Sequence, residues 1–208
     1  MRIKTADDFA RAFHVKHDVM LRLETYASLL VRWQKTHNLV APSTLPDLWH
    51  RHMADSAQLI AHAGDARRWI DLGSGAGFPG MVAAIMLQGR CEVHLVESNA
   101  KKCAFLAAVN RETAAHALIH NCRIEEAANR IAGPFDIVSA RALASLDQLC
   151  AFAAPFMAEG SNALFPKGRE VKAEIADAEQ SWNLVYDERP SLTDPDGRIL
   201  IVHSLKRL

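Results

Sequence analysis

Trp69-Ile70-Asp71-Leu72-Gly73-Ser74-Gly75-Ala76-Gly77-Phe78-Pro79-Gly80 is the stretch on which the reading of this chain turns. It runs as the end of a buried strand, an acidic residue, a glycine-rich turn and a helix that opens with Pro79. Glycine takes positive φ without strain and lets a ligand approach where a Cβ would stand. Proline suits a first helical turn, whose N–H groups have no helical partner anyway. A turn of this kind, feeding a helix N-terminus, holds a nucleotide-like ligand at the C-terminal edge of a sheet.

Two ligands compete for it. Gly75-Ala-Gly77-Phe-Pro-Gly80 satisfies G-x-G-x-x-G, and Glu97 stands 20 residues past Gly77, which fits a nicotinamide dinucleotide. Against this, the glycines begin at Gly73, with Asp71 two residues ahead of them. A carboxylate there repels a pyrophosphate, yet it can order the loop or help hold an ammonium-bearing ligand. S-adenosylmethionine has no phosphate, carries a sulfonium and an amino group, and offers a ribose diol to Glu97. The charge balance favours the methyl donor.

The 208 residues fit one domain with an appendage, or at most two small domains. Lys+Arg and Asp+Glu both number 24, so no global field draws in nucleic acid, and any such surface has to be local. Arg2, Lys4, Arg11 and Lys16 are the candidates in the N-terminal region. The start lacks an apolar leader and no apolar run is long enough to span a membrane, which places the chain in the cytoplasm. Cys91, Cys103, Cys122 and Cys150 are scattered, as expected of free thiols in a reducing compartment.

Residues 6–36 read as a helix with an apolar stripe at Val19, Leu23, Tyr26, Leu30 and Trp33. A second helix is expected from Leu48 to about His62, with Gly64 as its stop. Residues 1–65 are thus an all-helical cap, and 66–208 a second unit. From Arg67 short apolar runs at 68–72, 91–96, 117–121, 135–139 and 161–165 alternate with helical stretches at 80–87, 99–115, 145–154 and 168–179, a βα repeat on a mainly parallel sheet. The segments 182–187 and 198–205 have no room for a helix between them and should pair as an antiparallel hairpin. The fold class is therefore α/β: a Rossmann-like, doubly wound, seven-stranded sheet of the methyltransferase type, closed by a C-terminal hairpin.

Glu97 closes the second strand, where a carboxylate accepts from ribose hydroxyls; its alternative is a helix cap. The segment Arg123-Ile124-Glu125 follows the third strand, where the Ile124 backbone and the Glu125 side chain can flank an adenine. Asp136 falls inside the fourth strand and Arg141 where that strand runs out. Arg141 suits stacking on a base or contacting a phosphate, against a purely structural ion pair. Lys167, between Pro166 and Gly168 at the end of the fifth strand, is a phosphate-binding candidate or a solvated turn. His50, His52 and Asp55 lack a completing ligand for zinc, so no metal is expected, and a His52–Asp55 pair facing the crevice is the better use.

Taken together, these segments resemble the RsmG family, the small-subunit ribosomal RNA guanine-N7 methyltransferases also known as glucose-inhibited division protein B. The resemblance covers nearly the whole chain: Trp33 through Asn38-Leu39, His52-Met-Ala-Asp55-Ser56, Asp71 through Gly80, Glu97-Ser-Asn-Ala-Lys101-Lys102-Cys-Ala-Phe105-Leu106, Arg123-Ile-Glu125, Phe135 through Ala142, and Pro166-Lys167-Gly168. It implies a class I methyltransferase that moves a methyl group from S-adenosylmethionine to N7 of a guanine in the 530 loop of bacterial 16S rRNA. Cofactor contacts carried over by the family's motifs fall on Gly73, Phe78, Ile124, Glu125 and Arg141, with Glu97 on the ribose. Asp71, Gly75 and Gly77 complete the loop that holds it. His52, Asp55, Arg141 and Lys167 are the substrate-positioning candidates, and no general base is expected. The implied partner is 16S rRNA, within the 30S subunit or a late assembly intermediate, and the enzyme is expected to act as a monomer. Methylation of a small molecule or protein, or a non-catalytic role in rRNA assembly, are the alternative functions.

Overall fold

The computed structural model describes residues 2–208. The helix expected over 6–36 is two helices, α1 (Ala6–Phe13) and α2 (His17–Gln34). His14 ends α1 in the left-handed region, at φ 51°, and Lys16 restarts the chain in an extended conformation. Thr5 and Asp8 cap the first turn of α1 reciprocally, each side chain accepting from the other's backbone N–H. The apolar stripe of α2 is real: Leu23, Tyr26 and Leu30 are fully buried, and Val19 and Trp33 pack against the same core. From Pro42 to His62 the backbone changes pitch repeatedly. A 3-10 turn (Pro42–Asp47), a π turn (Trp49–Ala54), α3 (Asp55–Ala57) and another 3-10 turn (Gln58–His62) take the place of one regular helix. Gly64, at φ 53°, follows its end.

The sheet comprises β1 (Arg68–Leu72), β2 (Glu92–Val96), β3 (Leu118–His120), β4 (Ile137–Ser139), β5 (Asn162–Lys167), β6 (Trp182–Pro190) and β7 (Arg198–Arg207), in the order β3-β2-β1-β4-β5-β7-β6. The first five strands are parallel; β7 runs antiparallel to β5, and β6 pairs with β7 as the expected hairpin. Side chains alternate strictly between two cores. Trp69, Leu95, Ile137, Leu164 and Ile199 enter one, and Ile70, Val96, Val138, Phe165 and Leu200 the other.

The helices α4 (Gly80–Met86) and α5 (Ala100–Thr113) both cover the first face, together with α1 and α2. The opposite face carries α6 (Ile124–Arg130), α7 (Leu146–Ala153) and α8 (Val171–Ala178). The helix α6 is an addition to the expected pattern. With seven residues and Ala127 as its one fully buried side chain, it has too little periodicity to be legible. Asp136 is also displaced from expectation. It precedes β4, and its Oδ2 accepts from the backbone N–H groups of Arg67 and Arg68 at 2.7 and 2.9 Å, at the sheet end opposite the glycine loop. None of the helices among the described residues is long and apolar enough to cross a membrane.

Candidate functional site

β1 and β4 are neighbours at the point where the strand order reverses, the position at which open α/β sheets leave a crevice beyond their strand ends. The glycine loop leaves β1 there, and Ala140-Arg141-Ala142 leaves β4. Asp71 laces the two together from beneath. Its Oδ1 accepts from Ser139 Oγ at 2.7 Å and its Oδ2 from the N–H of Gly80 at 3.2 Å, while Trp69 Nε1 donates to the same Ser139 hydroxyl. Full burial outweighs these donors and pushes the Asp71 carboxyl up to about 6. It orders the loop and lies behind it.

The loop itself needs its glycines. Gly73 sits at φ 67°, and a Cβ on it would lie 2.7 Å from Leu143 Cδ1. Gly77 sits at φ 98°, with the corresponding distance to the Tyr26 hydroxyl also 2.7 Å. Tyr26, from α2, reaches in at that spot and donates to the carbonyl of Ala76 at 2.5 Å. Gly77 and Phe78 therefore face the helical segment: the Phe78 ring stacks between Tyr26 and His52, at centroid distances of 5.2 and 5.0 Å.

The other side of the loop is a cavity of about 320 Å³, within the size range of small-molecule sites. It brings together Gly73, Gly75, Glu97, Ile124, Glu125 and Arg141, six of the expected cofactor residues; the other three do not line it, Asp71 lying buried beneath the loop and Gly77 and Phe78 packing toward Tyr26 and His52. Glu97 is buried with its carboxylate ordered by backbone: Oε2 accepts from Gly75 at 2.8 Å and Oε1 from Asn99 at 2.7 Å. It does not cap α5. Asn99 does, accepting from Lys101 and Lys102. Each Glu97 oxygen retains a lone pair for a ligand hydroxyl.

A second cavity, of about 450 Å³, lies beyond Arg141, which lines both. The π turn, a winding often found at functional segments, carries Arg51 and His52 toward it. Arg141 donates to Asp55 Oδ2 at 3.0 Å, to the Arg51 carbonyl at 3.0 Å and to His52 Nδ1 at 2.8 Å, and its guanidinium lies 5.2 Å from the Phe78 ring centroid. Arginine has no acceptor, so His52 Nδ1 accepts and the ring proton is on Nε2. That proton goes to Thr44 Oγ1, at 2.7 Å, whose own hydrogen goes to the carbonyl of Ala41. Burial, then the charges of Arg141 and Arg51, push His52 down to about 3. The expected His52–Asp55 pair is thus a shared grip on Arg141. Ala142, next in the chain, is held at φ 49°, a left-handed conformation unusual for alanine.

Lys167 also lines the second cavity, with a nearly buried side chain whose ammonium donates to Glu174 at 2.6 Å and to the carbonyl of Ala144 at 3.2 Å. The ammonium is committed to a carboxylate. In the N-terminal region Arg2 pairs with Asp47 and Arg11 with Asp8, which removes two of the four basic candidates as free charges. The sequence reading missed a further part of the second cavity's lining, Ser191, Thr193, Asp194 and Arg198 around the β6–β7 turn, and the tie that seats it. Gln58 is buried and accepts from the N–H of Leu192 at 2.8 Å, and Thr193 donates to Asp55 Oδ1 at 2.7 Å. The polar run Ser191-Leu-Thr193-Asp194 was visible as a turn, but no local signal joins it to Gln58, more than 130 residues earlier.

This architecture recurs in solved methyltransferases. The O-methyltransferase TomG from Streptomyces achromogenes, solved in complex with SAM, superposes with a TM-score of 0.58 over 88% of this chain and 89% of that one, at 13% identity. An O-methyltransferase from Bacillus cereus in complex with SAH gives 0.56 over 91% of each chain, at 12% identity. Such low identity speaks for the fold alone. Sequence relatives are far nearer. The Ribosomal RNA small subunit methyltransferase G of Methylorubrum populi is 48% identical over 197 residues, 94% of this chain and 93% of its own. That of Rhodospirillum centenum is 50% identical over 196 residues, 94% of this chain and 88% of its own. The family model for rRNA small subunit methyltransferase G (GidB) matches residues 20–195. With the match running from α2 through the polar turn that closes the second cavity, this chain belongs to the rRNA small subunit methyltransferase G family.

Proposed function

We propose that this protein is a class I methyltransferase that transfers a methyl group from S-adenosylmethionine to N7 of a guanine in the 530 loop of 16S rRNA. The observation that carries the reading is the pair of cavities meeting at Arg141, one beside the glycine loop and one beside the helical segment. The partner is 16S rRNA in the 30S subunit or a late assembly intermediate, met by a monomer. Residues 1–65 act as a cap on the 66–208 methyltransferase unit; Phe9, Leu23, Tyr26, Leu30 and Met53 share its core.

The first cavity fits the donor. Its glycine backbone leaves the approach open, and Glu97 faces it with spare acceptor capacity. Glu97 holds the ribose, Ile124 and Glu125 flank the adenine, and Gly73, Gly75 and Arg141 bound the remainder; Asp71, Gly77 and Phe78 hold the loop in shape. When bound, the donor supplies an electrophilic methyl group on a sulfonium.

N7 of a neutral guanine carries an in-plane lone pair, so no proton has to leave before attack and no general base is required. The work of the side chains is alignment. Arg141, gripped by His52 and Asp55, sets the partition between the cavities, and Lys167 with Glu174 forms the wall of the base pocket. The test is transfer of labelled methyl to unmodified 30S subunits and, in parallel, to protein-free 16S rRNA, with the modified base mapped. Label on the 530-loop guanine at N7 supports the proposal; donor binding without label on either RNA overturns it.

A further inference from the structure

The second cavity has three carboxylates in its wall, Asp55, Glu174 and Asp194. Two are neutralised, Asp55 by Arg141 at 3.0 Å and Glu174 by Lys167 at 2.6 Å. Asp194 is not. Its Oδ1 accepts from the N–H of Asp196 at 3.0 Å, and among the described residues its Oδ2 receives no hydrogen bond and neither oxygen pairs with a cation.

The turn that carries Asp194 is held in place. Its neighbour Thr193 donates to Asp55, Leu192 donates its N–H to Gln58, and the N–H of Gly197 donates to the Asp194 carbonyl at 3.0 Å. The chain folds so closely there that a Cβ on Gly197 would lie 2.9 Å from Asp194 Cβ. Asp194 lines only the second cavity, whereas Arg141 lines both.

A purine presents N7 on one side and its N1/C2 edge on the other. With N7 turned toward the donor cavity, that edge enters the second cavity, whose lining includes Asp194. Guanine offers two adjacent donors there, N1–H and the 2-amino group, whereas adenine offers a lone pair at N1 and no 2-amino group. An ionised carboxylate is acceptor-only, so it accepts both guanine donors and repels adenine. On the proposed function, which this inference deepens, we infer that Asp194 reads the target base, its carboxylate accepting from N1–H and the 2-amino group of guanine. The same bonds aid transfer. As N7 acquires the methyl group the ring becomes cationic and N1–H a stronger donor, so the grip of Asp194 tightens toward the transition state.

The experiment uses 30S particles reconstituted with 16S rRNA carrying guanine or inosine at the target position, since inosine lacks only the 2-amino group. Wild-type protein is expected to methylate guanine about tenfold faster in kcat/KM, the scale of one lost hydrogen bond to a charged acceptor. Asp194→Asn keeps an acceptor for Asp196 and presents an amide N–H₂ to the base. It should lower kcat/KM on guanine by about tenfold or more and bring the guanine-to-inosine ratio toward one, with donor affinity by calorimetry and the urea midpoint unchanged. Asp194→Glu, which keeps both acceptors, should retain a preference for guanine. A wild-type ratio in Asp194→Asn, or loss of the preference in Asp194→Glu, overturns the inference. No transfer by the wild-type protein to either base fails the functional reading instead, and the inference falls with it.

Discussion

Arg141 and Asp55 meet at 3.0 Å across 86 positions of sequence, and the contact ties the end of β4 to the helical segment that precedes the sheet. Both side chains are largely buried, at 17% and 19% exposure. Arg141→Ala leaves the Asp55 Oδ2, the Arg51 carbonyl and His52 Nδ1 without their donor at once. We expect a loss of about 1–3 kcal/mol in urea unfolding, from polar groups left without partners in a confined site. Donor affinity by calorimetry and methyl transfer should both fall. Arg141→Lys restores the charge but cannot reproduce the fork, so it should recover stability better than activity. Unchanged donor binding together with an unchanged rate would remove Arg141 from the site.

Tyr26 is the only side chain from α2 that hydrogen-bonds the glycine loop among the described residues, through its hydroxyl on the Ala76 carbonyl. The ring itself is core, packed against Phe78 and Phe105. Tyr26→Phe keeps that packing and deletes one buried hydrogen bond, for an expected loss of about 1–2 kcal/mol. The informative measurement is donor affinity. A weaker Kd would show that the helical segment holds the loop in its binding shape, and an unchanged one would confine the bond to stability.

Two buried groups give pH responses of opposite sign. His52, at about 3 when folded, lies below its ordinary value of 6.5. The unfolded chain therefore takes up a proton between those limits that the folded chain refuses, so this contribution is complete above 6.5 and is lost as pH falls toward 3. Asp71, at about 6, lies above its ordinary 3.8. The folded state there holds a proton the unfolded state has released, so its contribution is present at acid pH and is lost as pH rises through 6. Between about 4 and 6 the two oppose each other. The isolating experiment is His52→Gln, whose urea stability should fall less than wild type between pH 7 and pH 4, by up to ~1.4 kcal/mol per pH unit. Equal acid sensitivity in variant and wild type would mean His52 takes up its proton in the folded chain as readily as in the unfolded one.

The legible parts of this molecule are those whose physics is local. The apolar run at Trp69–Leu72 and the spacing of Leu23, Tyr26 and Leu30 report burial directly, and Gly73 and Gly77 report backbone that a side chain would obstruct. The break at His14 was hidden because a single left-handed residue leaves the apolar spacing of its neighbours intact. The π turn was hidden because the partners of its His52, Arg141 and the Phe78 ring, lie far along the chain. The role of Arg141 was only half readable. Its position at a strand end is local, but its partners Asp55 and His52 arrive from another part of the chain, and so does the Gln58 tie to the turn holding Asp194.

Lys167 and Arg51 line the same cavity and should behave as opposites. The Lys167 side chain is 7% exposed with its charge met by Glu174, whereas Arg51 is exposed and has no carboxylate partner among the described residues. Lys167→Met keeps the aliphatic stem and strips Glu174 of its counter-ion. An expected cost of roughly 2 kcal/mol allows for the partial exposure of the glutamate. Because that ammonium is already neutralised within the protein, RNA affinity should keep its wild-type dependence on salt. Arg51→Ala should leave stability within about 0.5 kcal/mol, as surface substitutions do. It should nevertheless reduce the slope of log affinity against log salt by roughly 0.7, the loss of one single-strand phosphate contact. Filter binding of 16S rRNA across a salt series decides between them. A flattened slope in Lys167→Met with none in Arg51→Ala would place the phosphate contact on the lysine and require the Lys167–Glu174 pair to open when RNA binds.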